Sequence, residues 1–273
     1  MRFSNLASRV AIALTLGPLV LFLVYLGSYY FLVLVALIAL VSFYEYAKLS
    51  EGKGLKMNFT TGFILISALL INAFFQNKYF TEIIIISPLF ILCIELFRNK
   101  GSAIHNTGSL FLGVFYIGLS CSSLLLIRDY FPVESRGGYL IMMILISIWV
   151  SDSTAYFGGI SFGKRKLMER VSPKKSWEGF WSGFLGAFLV VFGARYLFPS
   201  QFEYLDYYQL SAISLIISII GPLGDLIESL LKRDSGIKDS SNILGGHGGF
   251  FDRFDSLIAV SPVLYLFLKI FVK

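Results

Sequence analysis

Residues able to do chemistry concentrate between 229 and 255, which read SLLKRDSGIKDSSNILGGHGGFFDRFD. Lys232, Arg233, Lys238 and Arg253 supply positive charge, and Asp234, Asp239, Asp252 and Asp255 supply carboxylates. Between them, Gly245, Gly246, Gly248 and Gly249 surround His247. Glycines let the backbone turn sharply and aim successive N–H groups at an anion. Asp252 and Asp255 are three residues apart, which puts them on one side of a helix. Cations for phosphate, carboxylates for a divalent metal and a glycine loop for close approach are the parts of a phosphoryl-transfer site. His247 has no second histidine or cysteine nearby, which argues against zinc.

Further polar groups interrupt the apolar sequence upstream. Asp152 sits at 151–154 in the run SDST. A carboxylate in an apolar span is costly unless it faces a cavity or a partner, so Asp152 reads as functional. Gly158 and Gly159 begin a segment expected to be flexible, which leads into Lys164, Arg165 and Lys166. Lys174 and Lys175 follow Ser172 and Pro173, and Ser172-Pro173 or Ser176 is suited to start a helix with N–H groups free for an anion. Lys164, Lys166, Lys174 and Lys175 are therefore read as nucleotide- or phosphate-binding; the plainer reading is a basic loop that only sets topology. At 221–224 the run GPLG predicts a kinked or locally unwound helix lining a cavity. Asp225, just beyond it, is expected to ligate a metal. Glu228 either joins it on the same face or pairs with Lys232 at i,i+4.

The elements that must position these groups are membrane helices. The chain has 273 residues, of which 56% are hydrophobic and only 15% charged. Its mean hydropathy is +0.75. Soluble domains carry roughly 25% charged residues, so an ordinary globular fold is excluded. The reading is an all-α, polytopic integral membrane protein with about nine spans of near the roughly 20 residues that a bilayer needs. Their approximate bounds are 10–27, 29–47, 59–76, 82–97, 109–127, 139–158, 177–198, 208–226 and 256–272. The first run continues into Tyr25 with no small-residue cleavage site, so it is read as a retained helix rather than a signal peptide. Cys93 and Cys121, both in apolar runs, are read as small buried hydrophobes.

Most of the 23 lysines and arginines fall in alternate connections, on the side that holds the N-terminus, 159–176 and 229–255. The positive-inside rule puts that side in the cytoplasm. Residues 1–138 form a region of scaffold helices, and 139–273 a catalytic region, within one membrane unit. Glu45 and Glu95 are expected to pair with Lys48 or Arg98 near helix ends, and His105 to be a solvated loop residue.

Ser229, Lys232-Arg233, Lys238-Asp239, His247-Gly248-Gly249, Asp252-Arg253 and Asp255 also carry a resemblance. At these spacings the chain is similar to the phosphatidate cytidylyltransferase family, also called CDP-diacylglycerol synthases. The signature covers about a tenth of the chain but fixes many positions, unlike a lone glycine motif. Residues 152–179 resemble a second, less fixed region of that family. The resemblance implies a membrane nucleotidyltransferase of phospholipid biosynthesis that joins CTP and phosphatidate, giving CDP-diacylglycerol and pyrophosphate. It implies Mg²⁺, with a second metal ion left open, held by Asp225, Asp252 and Asp255, with Asp152 and Asp239 more loosely assigned. Lys232, Arg233, Lys238 and Arg253 would hold phosphates. A phosphate monoester is already dianionic near neutral pH, its second pKa being roughly 6. His247 is therefore read as a phosphate donor or loop organiser rather than a general base. The implied partners are CTP, phosphatidate and other anionic lipid, with no nucleic acid and room for a homodimer. The implied location is the inner (cytoplasmic) membrane, with the site facing the cytoplasm. The alternatives are another membrane lipid phosphotransferase, whose spaced Asp-Gly and Ala-Arg run is missing here, and a cation-coupled transporter, which has no use for the glycine-histidine loop.

Overall fold

The computed structural model describes residues 15–237 and 249–272. Lys238, Asp239, Gly245, Gly246, His247 and Gly248 lie outside the described residues. The helices follow the apolar runs in order: α1 (Thr15–Leu26), α2 (Ser28–Gly52), α3 (Phe59–Phe74), α4 (Phe80–Leu96), α5 (Ala103–Arg128), α6 (Glu134–Phe162), α7 (Trp177–Leu197), α8 (Tyr207–Asp234) and α9 (Phe251–Phe271). Among the described residues, α2 and α5 to α9 are the six helices long and apolar enough to cross a membrane. The protein is thus an all-α polytopic membrane protein with one small exception. That exception is an antiparallel hairpin, β1 (Lys166–Met168) with β2 (Ser172–Ser176), between α6 and α7. With 16 residues, α3 extends about 24 Å at 1.5 Å per residue, short of a bilayer core of roughly 30 Å.

Several helices outrun their apolar stretches, and this brings the polar groups onto ordered backbone. α8 begins at a capping box, in which Asp206 accepts from Gln209 N at 2.7 Å and Gln209 Oε1 accepts from Asp206 N at 2.9 Å. It then runs unbroken through Pro222 to Asp234. The unwinding expected at 221–224 is therefore absent. Gly224 serves another purpose: a Cβ there would lie 2.6 Å from the Asp255 carbonyl oxygen and 2.7 Å from Ala259 Cβ, so glycine lets α8 and α9 touch. The Ser256 hydroxyl donates to the Gly221 carbonyl at 3.0 Å across the same contact. Beyond Asp234, Gly236 takes φ +73° and Ile237 N reaches Lys232 O at 3.0 Å, a left-handed cap that closes α8.

Gly158 and Gly159 are helical rather than flexible, because α6 continues to Phe162. They belong to the α6–α7 seam. Gly179, Gly183 and Gly186, on one face of α7, would clash through an added Cβ with Ala155 O, Ser151 O and Thr154 Oγ1 respectively. Small residues at this spacing let membrane helices approach closely. On the other side of the fold, Phe43 of α2 is fully buried. Its ring fills a notch that a Cβ at Gly62 would occupy, and a Cβ at Gly113 would crowd it too. Two minor expectations change. Cys93 is exposed while Cys121 is buried, and His105 lies exposed in the first turn of α5 rather than in a loop.

Candidate active site

The site residues gather at one end of α6, α8 and α9, with the hairpin over them. Lys175 of β2 is half-buried and meets Asp225 of α8 at 2.7 Å. Ser229, one turn on, donates to the other Asp225 oxygen at 3.3 Å. Side chains alternate along a strand, so Lys174 is on the opposite face of β2, where it is exposed. Asp255 of α9 is buried and has Asp225, Asp152 and Lys175 as its electrostatic neighbours. Three helices thus bring three carboxylates around one lysine.

A second cluster adjoins the first. Lys232 of α8 pairs with Glu228 one turn earlier at 2.6 Å and also with Asp252 of α9. Glu228 is 1% exposed. The i,i+4 pairing of Glu228 with Lys232 is therefore present, extended by a carboxylate that the sequence leaves on a separate helix. The other Asp252 oxygen accepts from Gly249 N at 2.7 Å. Among the described residues, the second Glu228 oxygen and the Tyr116 hydroxyl are buried with no hydrogen-bond partner. Tyr116 comes from a π-helical turn, Val114–Leu119, within α5 and has Asp255 and Glu228 as electrostatic neighbours. Nothing in the spacing of the sequence marks Tyr116.

Asp252 is engaged by Lys232 and Gly249, while Asp225 and Asp255 share the surroundings of Asp152 and Lys175. Among the described residues, no three histidine, cysteine, aspartate or glutamate side chains stand close enough to hold a metal ion. The donor chemistry of Asp152, Asp225 and Asp255, all hard carboxylate oxygens, fits Mg²⁺ rather than a soft metal. Lys175 supplies positive charge at that point. One expectation is corrected by this geometry, that for Glu45. Lys48 pairs with Glu51 at 2.7 Å, and Glu45 instead accepts from Phe250 N at 2.9 Å and Phe251 N at 2.7 Å. Three successive amides, 249 to 251, are thus taken by carboxylates rather than open to phosphate. Glu95 behaves as expected, pairing with Arg98 at 2.6 Å.

The remaining cations ring this end. Lys164, Lys166, Arg233 and Arg253 are exposed. Arg233 Nε reaches Val171 O at 3.4 Å and ties α8 to the hairpin. Ser176 caps α7 by accepting from Gly179 N at 3.2 Å. Glu178, given no role by its sequence position, accepts from the backbone N–H of Lys164 at 3.0 Å and of Arg165 at 3.2 Å. It holds the start of the basic loop.

A clustered arrangement of carboxylates and lysines at membrane helix ends is shared by several enzyme classes, so comparison with known proteins decides the family. The profile described as "Cytidylyltransferase family" matches residues 7–271. The chain belongs to the cytidylyltransferase family. A phosphatidate cytidylyltransferase of Bacillus subtilis (strain 168) is 33% identical over 272 residues, covering 98% of this chain and 99% of that protein. One of Brucella abortus biovar 1 (strain 9-941) is 32% identical over 272 residues, covering 99% and 96%. One of Haemophilus influenzae is 42% identical over 136 residues, covering 48% and 46%. Similarity to members of the family thus runs the length of the chain, including both carboxylate clusters.

Proposed function

We propose that this cytidylyltransferase is a phosphatidate cytidylyltransferase, making CDP-diacylglycerol and pyrophosphate from CTP and phosphatidate. The observation that carries this reading is full-length similarity to proteins of that name, joined to paired carboxylate–lysine clusters at the ends of membrane helices. Both substrates are polyanions and repel each other until positive charge stands between them. Lys175, at the mouth of the hairpin, is suited to exchange Asp225 for a nucleotide phosphate. Lys174, Lys164 and Lys166 widen that positive surface, and Arg233 and Arg253 extend it toward the lipid phosphate. A phosphate oxygen of phosphatidate forms a bond to the α-phosphorus of CTP, the bond from that phosphorus to the β-phosphate oxygen breaks, and pyrophosphate leaves.

Mg²⁺ is the metal that this chemistry calls for; Asp225, Asp252 and Asp255, with Asp152, would hold it by drawing closer together than they stand here, and when bound it would neutralise the phosphate charge that develops. Lys232, fixed by Glu228 and Asp252, places a cation beside that site. Lys238 and His247, with Gly245, Gly246 and Gly248, keep phosphate-binding roles, and Asp239 keeps its place beside the metal site. We further propose that the site faces the cytoplasm of an inner membrane, where most lysines and arginines collect, and that 139–273 carries the reaction while 1–138 supports it. The test is direct: purified protein in phospholipid vesicles is given CTP, phosphatidate and Mg²⁺, and CDP-diacylglycerol and pyrophosphate are measured. No product, under conditions in which the Bacillus subtilis relative is active, would overturn the assignment.

A further inference from the structure

We infer that Glu45 is a positioning residue for the reacting end of α9. The inference rests on the function proposed above. Glu45 lies 205 residues from Phe250 in sequence and in the half of the chain that otherwise reads as scaffold. Its carboxylate is 1% exposed. Each of its oxygens takes one backbone N–H, that of Phe250 at 2.9 Å and that of Phe251 at 2.7 Å. These amides belong to the first turn of a helix, where no residue four positions back is available to accept them. A carboxylate there also meets the positive end of the helix dipole. The N-cap residue, Phe250, offers no side-chain cap of its own, and a residue of α2 takes the amides of Phe250 and Phe251 instead.

The consequence is geometric. Two bonds from one rigid carboxylate fix both the position and the direction of the chain as it enters α9. The next residue is Asp252, bound to Lys232 and to Gly249 N, and Asp255 follows one turn later. The support for Glu45 is itself stiff. Phe43 is locked in its notch, and the Tyr46 hydroxyl donates to Ser109 O at 3.0 Å. Just past the end of α2, the exposed Lys53 pairs with Asp234 at 3.2 Å, on the near side of the 238–248 segment. α2 and the residue that follows it thus contact the chain on both sides of that segment, the buried Glu45 contact being the stronger. The contacts of Glu45 with Phe250 N and Phe251 N are to the backbone, so their effect on Asp252 and Asp255 passes through α9.

Full-length parent, Glu45→Gln and Glu45→Asp proteins in phospholipid nanodiscs provide the test. Glutamine keeps one acceptor but turns an amide NH₂ toward the other N–H. Aspartate keeps the charge and shortens the reach. Hydrogen exchange of peptides covering 249–256 is followed alongside steady-state kinetics. In Glu45→Gln, exchange at the start of α9 should speed up while α2 and α5 keep parental exchange. The value of kcat should fall about 10- to 100-fold, the scale set by small misplacements of reacting groups, with KM for CTP changed less than about 3-fold as expected when ground-state binding is spared. Glu45→Asp should lie between the two. Unchanged exchange at 249–256 would refute the positioning contact. Faster exchange with parental kcat would make Glu45 a stabilising cap only, as would faster exchange through the whole protein. The exchange arm needs no substrate, so an inactive parent would defeat the proposed function while leaving Glu45 to be judged by exchange alone.

Discussion

Lys232 offers the sharpest energetic test, because one ammonium serves two carboxylates. Its side chain is 11% exposed, and those of Glu228 and Asp252 are 1% and 13% exposed. Replacing lysine by methionine keeps the bulk and removes the charge. Glu228 is then buried without the cation that balances it, while Asp252 retains the Gly249 amide. Removing one partner of a buried ion pair costs about 3–5 kcal/mol. For a chain of this size, about 1 kcal/mol corresponds to a fall of roughly 2–4 °C in midpoint, so Lys232→Met should lower Tm in detergent by on the order of 10 °C. Adding Glu228→Gln removes the stranded charge. The double variant Glu228→Gln/Lys232→Met should therefore regain most of the lost midpoint, since the net charge of the pair is again zero. Activity should not return, because the cation beside the substrate phosphates is still missing. Both variants are to be compared with the parent by fluorescence-monitored thermal unfolding and by CDP-diacylglycerol formation. A single variant as stable as the parent, or a double variant no more stable than the single, would refute the charge-balance argument. Parental activity in the double variant would confine Lys232 to a structural role.

Three other outcomes follow from the same geometry. Lys175→Ala should raise the apparent KM for CTP at least several-fold and more than that for phosphatidate, whereas Lys174→Ala, on the solvent face of β2, should have the smaller effect; equal KM values in Lys175→Ala and parent would return the hairpin to a purely topogenic role. Asp225→Asn and Asp255→Asn should insert and fold but lose activity by orders of magnitude, since metal stabilisation of phosphoryl charge is worth several kcal/mol; a Mg²⁺ titration giving near-parental rates in either would remove that residue from the site. Cysteines introduced at Lys166 and Ser240, in a background without Cys93 and Cys121, should resist an impermeant thiol reagent in intact cells, and labelling from outside at both would reverse the orientation.

Much of the architecture could be read from one sequence because a membrane imposes a simple rule. Backbone groups in hydrocarbon must bond within their own helix, so apolar runs of sufficient length announce helices: α1 to α9 follow the apolar runs in order, and six of them, among the described residues, are long and apolar enough to cross a membrane. The cation-rich and carboxylate-rich segments were equally visible, since charge is rare in such a chain. The i,i+4 pairing of Glu228 with Lys232 and the Ser176 cap were also legible, because both depend only on neighbours along a helix.

Tertiary packing decided the rest. Pro222 and its glycines suggested a broken helix, yet packing against α9 keeps α8 continuous and makes Gly224 a point of contact. Asp252 and Asp255, alike in sequence and one turn apart, fall into different clusters, because Lys232 and Gly249 engage the first while the second faces Asp225 and Asp152. Glu45 looked like a helix-end partner for Lys48, but Lys48 has Glu51 within one turn. The amides that claim Glu45 belong to residues 250 and 251. Local spacing sets which side chains can meet on one helix. Which helix ends come together depends on how the helices pack, and no periodicity within a single segment records that.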